Sequence, residues 1–244
     1  MEKIFGLHSV TAALRSGREC RQLWLQDNRR DARLNDIESR AQKLGVAVQR
    51  VSRKDLDQLA GDTHHQGVIG EFGAAVGPDN LDELLDSLNE PPFLLVLDGV
   101  QDPHNLGACL RTAAAAGVHA VIAPKDRACG ITPVVRKVAA GAAEILPFFA
   151  VTNLARTLKD LKDRGIWLAG AAGDAEQTIY ALDLKGPLAI VMGAEGEGLR
   201  RLTRETCDWL AKLPMTEKVE SLNVSVATGI CLFEAVRQRT IVGK

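Results

Sequence analysis

Two stretches, FLLVLDG (93–99) and LAIVMG (188–193), are apolar at every position between turn residues. A strand with one wet face alternates apolar and polar residues. A strand that is apolar throughout is covered on both faces, which is the mark of a parallel sheet flanked by helices. From Leu81 to the end, such strands alternate with helical patterns: a helix LDELLDSL, a helix from about Asn105 to Ala116 ended by Gly117, strand HAVIAP (119–124) and helix PVVRKVAAGAAE (133–144). Strand LPFFAV (146–151), the charged helix TNLARTLKDLKDRG and strand IWLAGA (166–171) follow. A looser stretch to Lys185 leads to LAIVMG, helix GLRRLTRETC, strand DWLAKLP and a last long helix. The fold class is α/β, and element order alone predicts a doubly wound sheet.

The first 72 residues alternate in the same way on a smaller scale. A helix about Ser9–Arg15 precedes strand QLWLQ (22–26), a charged helix over Ala32–Lys43 precedes VAVQRV (46–51), and RKDLDQLA precedes GVIGEF (67–72). This predicts a small α/β domain over 1–72, of a size suited to recognition. GAAVGPDN (73–80) clusters Gly, Pro and small residues without periodicity and is expected to be a linker, with the larger domain over 81–244.

Composition narrows the classes. The net charge is −1, so the whole molecule carries no polyanion-binding field. Arg15, Arg18, Arg21, Arg29, Arg30 and Arg33 cluster in the small domain, either as phosphate contacts or as a solvated helical face. The five cysteines, at 20, 109, 129, 207 and 231, are odd in number and show no CxxC spacing, as in reduced thiols of a cytoplasmic protein. No run approaches a membrane span, and MEKIFGLHSV lacks the apolar core of a signal peptide. His64-His65 has no third ligand at matching spacing, so no metal is expected.

In parallel sheets, ligands collect outside the carboxyl ends of strands. That rule selects loops 98–105, 193–198 and 214–222. In the first, Asp102-Pro103 sets a turn and Asn105 is placed at the helix mouth, where free N–H groups and capping residues lie. Arg111, among small and apolar neighbours, either snorkels to water or reaches over as a planar fork for phosphate or ribose oxygens. The second loop, MGAEGEGL, lacks GxGxxG and P-loop spacing, and its Glu195 and Glu197 would repel phosphate. A glycine loop with carboxylates suits a hydroxyl-rich or cationic ligand such as S-adenosylmethionine, unless it is simply a flexible turn. The third loop offers Ser221 and Asn223 at the start of a helix rich in small residues, SLNVSVATGICLFEA, with Met215 and Leu222 as apolar walls. Small residues in mid-helix fit close packing or the approach of a second chain or a ligand.

Taken together, NLGACLRTA, IVMGAEGEGL and LPMTEKVESLNVSVATGICLFE resemble the three motifs of the SpoU (TrmH) family of S-adenosylmethionine-dependent RNA ribose 2′-O-methyltransferases. The likeness runs through residues 93–240. Residues 1–72 look like the family's RNA-substrate-binding domain. The two-domain layout, with LDGVQDPHNLGACLR and FAVTNLARTL, most closely resembles the branch that methylates a guanosine ribose in the peptidyl-transferase loop of 23S rRNA; related enzymes act on tRNA. The resemblance implies a deep trefoil knot (the SPOUT fold) in the C-terminal domain and a homodimer. It implies catalytic roles for Asn105, Arg111 and Glu195, and cofactor-binding positions at Gly193, Leu213, Met215, Ser221, Leu222 and Asn223.

Overall fold

The computed structural model describes all residues except 62–63, 75–77, 79, 217, 220 and 243–244, and the backbone alone at 241–242. The expected linker therefore lies in part outside the described residues. The chain divides into two compact units, residues 1–77 with 140–145, and residues 78–139 with 146–244.

The first unit runs β1 (Glu2–Phe5), α1 (Leu7–Arg15), β2 (Cys20–Gln26), α2 (Ala32–Lys43), β3 (Ala47–Val51), α3 (Arg53–Ala60) and β4 (Val68–Phe72). Its sheet has the order β1-β4-β2-β3; β2 and β3 are parallel, and β4 is antiparallel to both β1 and β2. Leu23, Leu25, Val68 and Phe72 on one face join Val10, Ala13 and Leu14 of α1 and Leu34, Ile37 and Ala41 of α2 in one buried cluster. The helices begin where the sequence caps them: Asp31 accepts from the Arg33 amide and Ser52 from the Asp55 amide, contacts typically worth about 1 kcal/mol each.

One sequence expectation is revised in this unit. Of the six arginines considered as phosphate contacts, Arg18 is buried and committed internally. It donates to Glu144 at 2.6 Å, to Glu2 at 3.1 Å and to the Gly73 carbonyl, and lies over the Phe72 ring. Arg29 and Arg33 engage Asp31, whereas Arg15, Arg21 and Arg30 are exposed. His65 is a core residue. Its Nδ1 accepts from the Gly67 amide, so the proton sits on Nε2, 3.0 Å from Asp57.

The second unit runs α4 (Leu81–Ser87), β5 (Phe93–Asp98), α5 (Pro103–Ala115), β6 (Ala120–Pro124), α6 (Pro133–Ala139), β7 (Phe148–Val151), α7 (Leu154–Asp163), β8 (Trp167–Ala171), β9 (Gln177–Thr178), β10 (Leu188–Gly193), α8 (Arg201–Thr206), β11 (Trp209–Lys212) and α9 (Val224–Val242). Its seven strands lie in the order β7-β6-β5-β10-β8-β11-β9, all parallel. The apolar strands have both faces covered. Leu94, Val96, Ala189 and Val191 pack with Leu84 and Leu85 of α4 and Leu154, Leu158 and Leu161 of α7. The alternate residues Leu95, Leu97, Ile190 and Met192 are equally buried on the opposite face, where α9 packs against β10 and α5 against α9. Element order alone does not anticipate that β10 inserts between β5 and β8, or that β11 inserts between β8 and β9.

The helix expected over 133–144 stops at Ala139, because Ala140 and Gly141 adopt φ of 51° and 95°, and a 3-10 turn over Ala142–Glu144 follows. The helix expected over 198–207 shortens to 201–206, since the chain before it is held in the glycine loop. No helix among the described residues is long and apolar enough to cross a membrane.

Candidate active site

The carboxyl ends of β8, β10 and β11, together with the start of α9, enclose a cavity of about 330 Å³. Glycine and alanine make much of its wall: Ala171, Ala172 and Gly173 after β8, Gly193 to Gly196 and Gly198 after β10, and Ala227 on α9. Met192, Leu213, Met215, Leu222 and Val224 add apolar surface, and Glu195, Lys212 and Ser221 add polar groups. The volume suits a small organic ligand. A lining that is apolar but carries one carboxylate and one ammonium suits a ligand with an aromatic or aliphatic body and charges of both signs. S-adenosylmethionine, with its adenosine, sulfonium and amino-acid end, has that chemistry, so these residues fit it.

The glycine loop is built rather than slack. Ala194 and Gly198 exchange both backbone hydrogen bonds, at 2.9 and 3.1 Å, and Gly196 and Gly198 take φ of 82° and 69°. A Cβ on Gly193 would land on the Gly198 carbonyl, so that position admits nothing larger. The fold-back presents Glu195 toward α5.

Asn105 is not the capping residue that its place at the helix mouth suggests. Asp102 caps α5 by accepting from the His104 amide at 2.9 Å, and Pro103 opens the first turn. Asn105 therefore keeps its side chain for long-range contacts. Its Nδ2 donates to Glu195 Oε2 at 3.1 Å, and its Oδ1 accepts from Asn223 Nδ2 at 2.9 Å. Asn223 in turn caps α9, its Oδ1 accepting from the Ser225 amide and hydroxyl. One hydrogen-bonded chain thus joins the three loops.

Six of the nine residues singled out in the sequence line the cavity: Gly193, Glu195, Leu213, Met215, Ser221 and Leu222. Asn105 and Asn223 join it through Glu195. Arg111 stands apart. It is exposed on α5, is not a lining residue, and makes no hydrogen bond or ion pair among the described residues. The small residues of α9 have separate reasons. Ala227 faces the cavity; Thr228 is fully buried, donating to the Val224 carbonyl and receiving the Cys109 thiol; Gly229 lies 3.5 Å from Thr112 of α5, counted from an added Cβ. That last distance is ordinary contact, so the packing does not demand glycine there.

Sequence reasoning missed Asp98 and Arg200. Asp98, fully buried at the end of β5, accepts from Arg200 Nε at 2.5 Å and from its amide at 3.0 Å. The signal was present as an acid closing an all-apolar strand. It also missed the small residues 171–173, which form a wall of the cavity. No group of three His, Cys, Asp or Glu able to hold a metal occurs among the described residues.

Residues 92–233 match the SpoU rRNA Methylase family, and residues 3–75 match the RNA 2′-O ribose methyltransferase substrate binding family. The chain is 58% identical over 240 residues to the 23S rRNA (guanosine-2′-O-)-methyltransferase RlmB of Ralstonia nicotianae, covering 98% of this chain and 96% of that protein. It is 55% identical to the protein of the same name from Pseudomonas aeruginosa, covering 98% and 97%. Among solved structures, the SpoU methyltransferase AviRb of Streptomyces viridochromogenes in complex with AdoMet superposes with a TM-score of 0.81 at 22% identity, covering 98% and 90% of the two chains. The AdoMet-bound rRNA methyltransferase of Sinorhizobium meliloti gives 0.77 at 26%, covering 96% and 86%. With the same parallel sheet, the family match across the cavity-forming residues and near-complete alignment to these relatives, the chain belongs to the SpoU rRNA methylase family.

Proposed function

We propose that this protein transfers a methyl group from S-adenosylmethionine to the ribose 2′-hydroxyl of a guanosine in 23S rRNA, in the peptidyl-transferase loop. The observation that carries the reading is the chain Glu195–Asn105–Asn223 at a cavity walled by the glycine loop. The relatives named for this reaction align along nearly the whole chain, and the Sinorhizobium relative is described as AdoMet-bound.

Gly193, Leu213, Met215, Ser221, Leu222 and Asn223 are assigned to the cofactor. When bound, S-adenosylmethionine supplies a methyl group activated by its sulfonium. Glu195 commits Oε2 to Asn105 and has Oε1 to accept from a ribose hydroxyl, so Asn105 and Glu195 orient the ribose for in-line attack. Arg111 is assigned as a clamp on a substrate phosphate that stabilises the alkoxide as it develops, rather than as the base. Its exposed position, with no hydrogen-bond or ion-pair partner among the described residues, supports that role.

Residues 1–72 are assigned to RNA binding, 73–80 to the linker and 81–244 to catalysis. The insertion of β10 and β11 between earlier strands is compatible with a trefoil knot. A homodimer is supported by Val226, Ile230 and Phe233, which share one face of α9 and leave Val226 and Phe233 about half exposed, at 52% and 47%. A cytoplasmic location follows from the substrate. The test is ribose-methylation mapping on 23S rRNA from cells lacking the gene, with the purified protein and labelled cofactor added back. Restoration at one guanosine of the peptidyl-transferase loop is expected; methylation of tRNA alone, or of no RNA, would overturn the reading.

A further inference from the structure

The Asp98–Arg200 pair lies outside the set of residues to which a role has been assigned, yet it is joined to both ends of the glycine loop. At the start of the loop, Asp98 is the ladder partner of Gly193, the last residue of β10. At its end, Arg200 is the residue before α8, and it binds the same carboxylate through Nε, Nη2 and its backbone amide. Between these two points the chain folds back on itself through the Ala194–Gly198 hydrogen bonds and carries Glu195 at its turn. Asp98 also leads directly into the segment that begins α5. Gly99 follows it with φ 90°, and an added Cβ there would lie 3.7 Å from that of Ala194.

We infer that Asp98 and Arg200 are positioning residues that clamp both ends of the glycine loop and thereby set the cofactor cavity and the carboxylate of Glu195. The inference rests on the methyltransferase reading above. The physical reason is that a fully buried carboxylate is costly unless each oxygen is met by a donor, and here one arginine meets both. Its planar fork fixes direction as well as charge, so the loop end has one place to sit. Arg200 keeps 43% of its side chain exposed while Asp98 is fully buried, so the clamp is anchored in the core and reaches the surface through the arginine.

Arg200→Ala, Arg200→Lys and Asp98→Asn test this in the full-length protein. For each, the measurements are the melting temperature, the Kd for S-adenosylmethionine by calorimetry well below that temperature, and hydrogen exchange of residues 194–199. The expected result for Arg200→Ala is a Kd raised about tenfold or more with faster exchange in the loop. Arg200→Lys, which keeps the charge but not the fork, should fall between it and the wild type. If Asp98→Asn does not fold, the two Arg200 variants decide. A lower melting temperature with a Kd within twofold of wild type would make the pair a stabilising contact only and overturn the inference. A wild-type protein that does not bind S-adenosylmethionine would instead refute the methyltransferase reading on which it rests.

Discussion

The side-chain amide of Asn223 donates to Oδ1 of Asn105 at 2.9 Å, across 118 positions of sequence. This bond ties the first turn of α5 to the cap of α9. Because an amide has distinct ends, it also orients Asn105 so that Nδ2 points to Glu195. Replacing Asn105 by Asp sets a carboxylate against Glu195, and close like charges push one pKa of the pair upward. At neutral pH the two repel; as pH falls, the pair takes up a proton and the hydrogen bond re-forms. The activity of Asn105→Asp relative to wild type should therefore rise as pH falls, read as the ratio of kcat/KM values. A ratio independent of pH would separate Asn105 from Glu195 functionally.

Arg111 is exposed and does not line the cavity, so Arg111→Ala should leave cofactor affinity within about twofold while methyl transfer falls by about a hundredfold or more, as for loss of a group aimed at developing charge. Arg111→Lys keeps the charge and loses the fork, and should recover part of the rate. Single-turnover rates beside calorimetric Kd values check this, and near-wild-type turnover in the alanine variant would remove Arg111 from the mechanism.

Gly193→Ala places a methyl group on the Gly198 carbonyl. The loop must open to admit it, which costs about 1–3 kcal/mol and deforms the cavity wall. Loss of cofactor binding is expected with a modest fall in melting temperature. By contrast, Gly229→Ala meets Thr112 at ordinary contact distance and removes a helix-interior glycine, so it should be neutral or stabilising by up to about 1 kcal/mol.

Phe233 is 47% exposed on α9, on the face it shares with Val226 and Ile230. Phe233→Glu should shift the protein from dimer to monomer in sedimentation or light scattering without lowering helix content. A wild-type protein that is monomeric at micromolar concentration would refute this use of the face.

Burial pushes the Cys109 thiol up to about 11 and the Cys231 thiol up to about 12, from an ordinary value near 9. With folded values raised, the unfolded chain ionises first as pH rises. Stability is full below about pH 9 and should fall as pH climbs toward 11, by at most about 1.4 kcal/mol per pH unit for each group. Denaturant midpoints from pH 7 to 11 measure it, and Cys231→Ala should reduce the alkaline slope. In the native protein at pH 8, both thiols should resist iodoacetamide.

The sequence by itself determined the class of element at nearly every position of the parallel sheet, because burial on two faces is written locally. FLLVL and LAIVMG have no polar position to turn toward water, and both became central strands. It also marked the three loops at the strand ends, since glycine, proline and capping residues act within a few positions of themselves. Gly141 is a local stop signal for the break at Ala140 and Gly141, but the apolar spacing of PVVRKVAAGAAE continues across it and a positive φ at an alanine leaves no trace in sequence. What only the tertiary structure decided is which polar groups meet. Asp98 with Arg200, and Asn105 with both Glu195 and Asn223, are paired by the insertion of β10 beside β5 and by the return of α9 onto α5. Those crossovers depend on how whole elements pack, and a hydrogen bond spanning a hundred residues has no period from which it could be read.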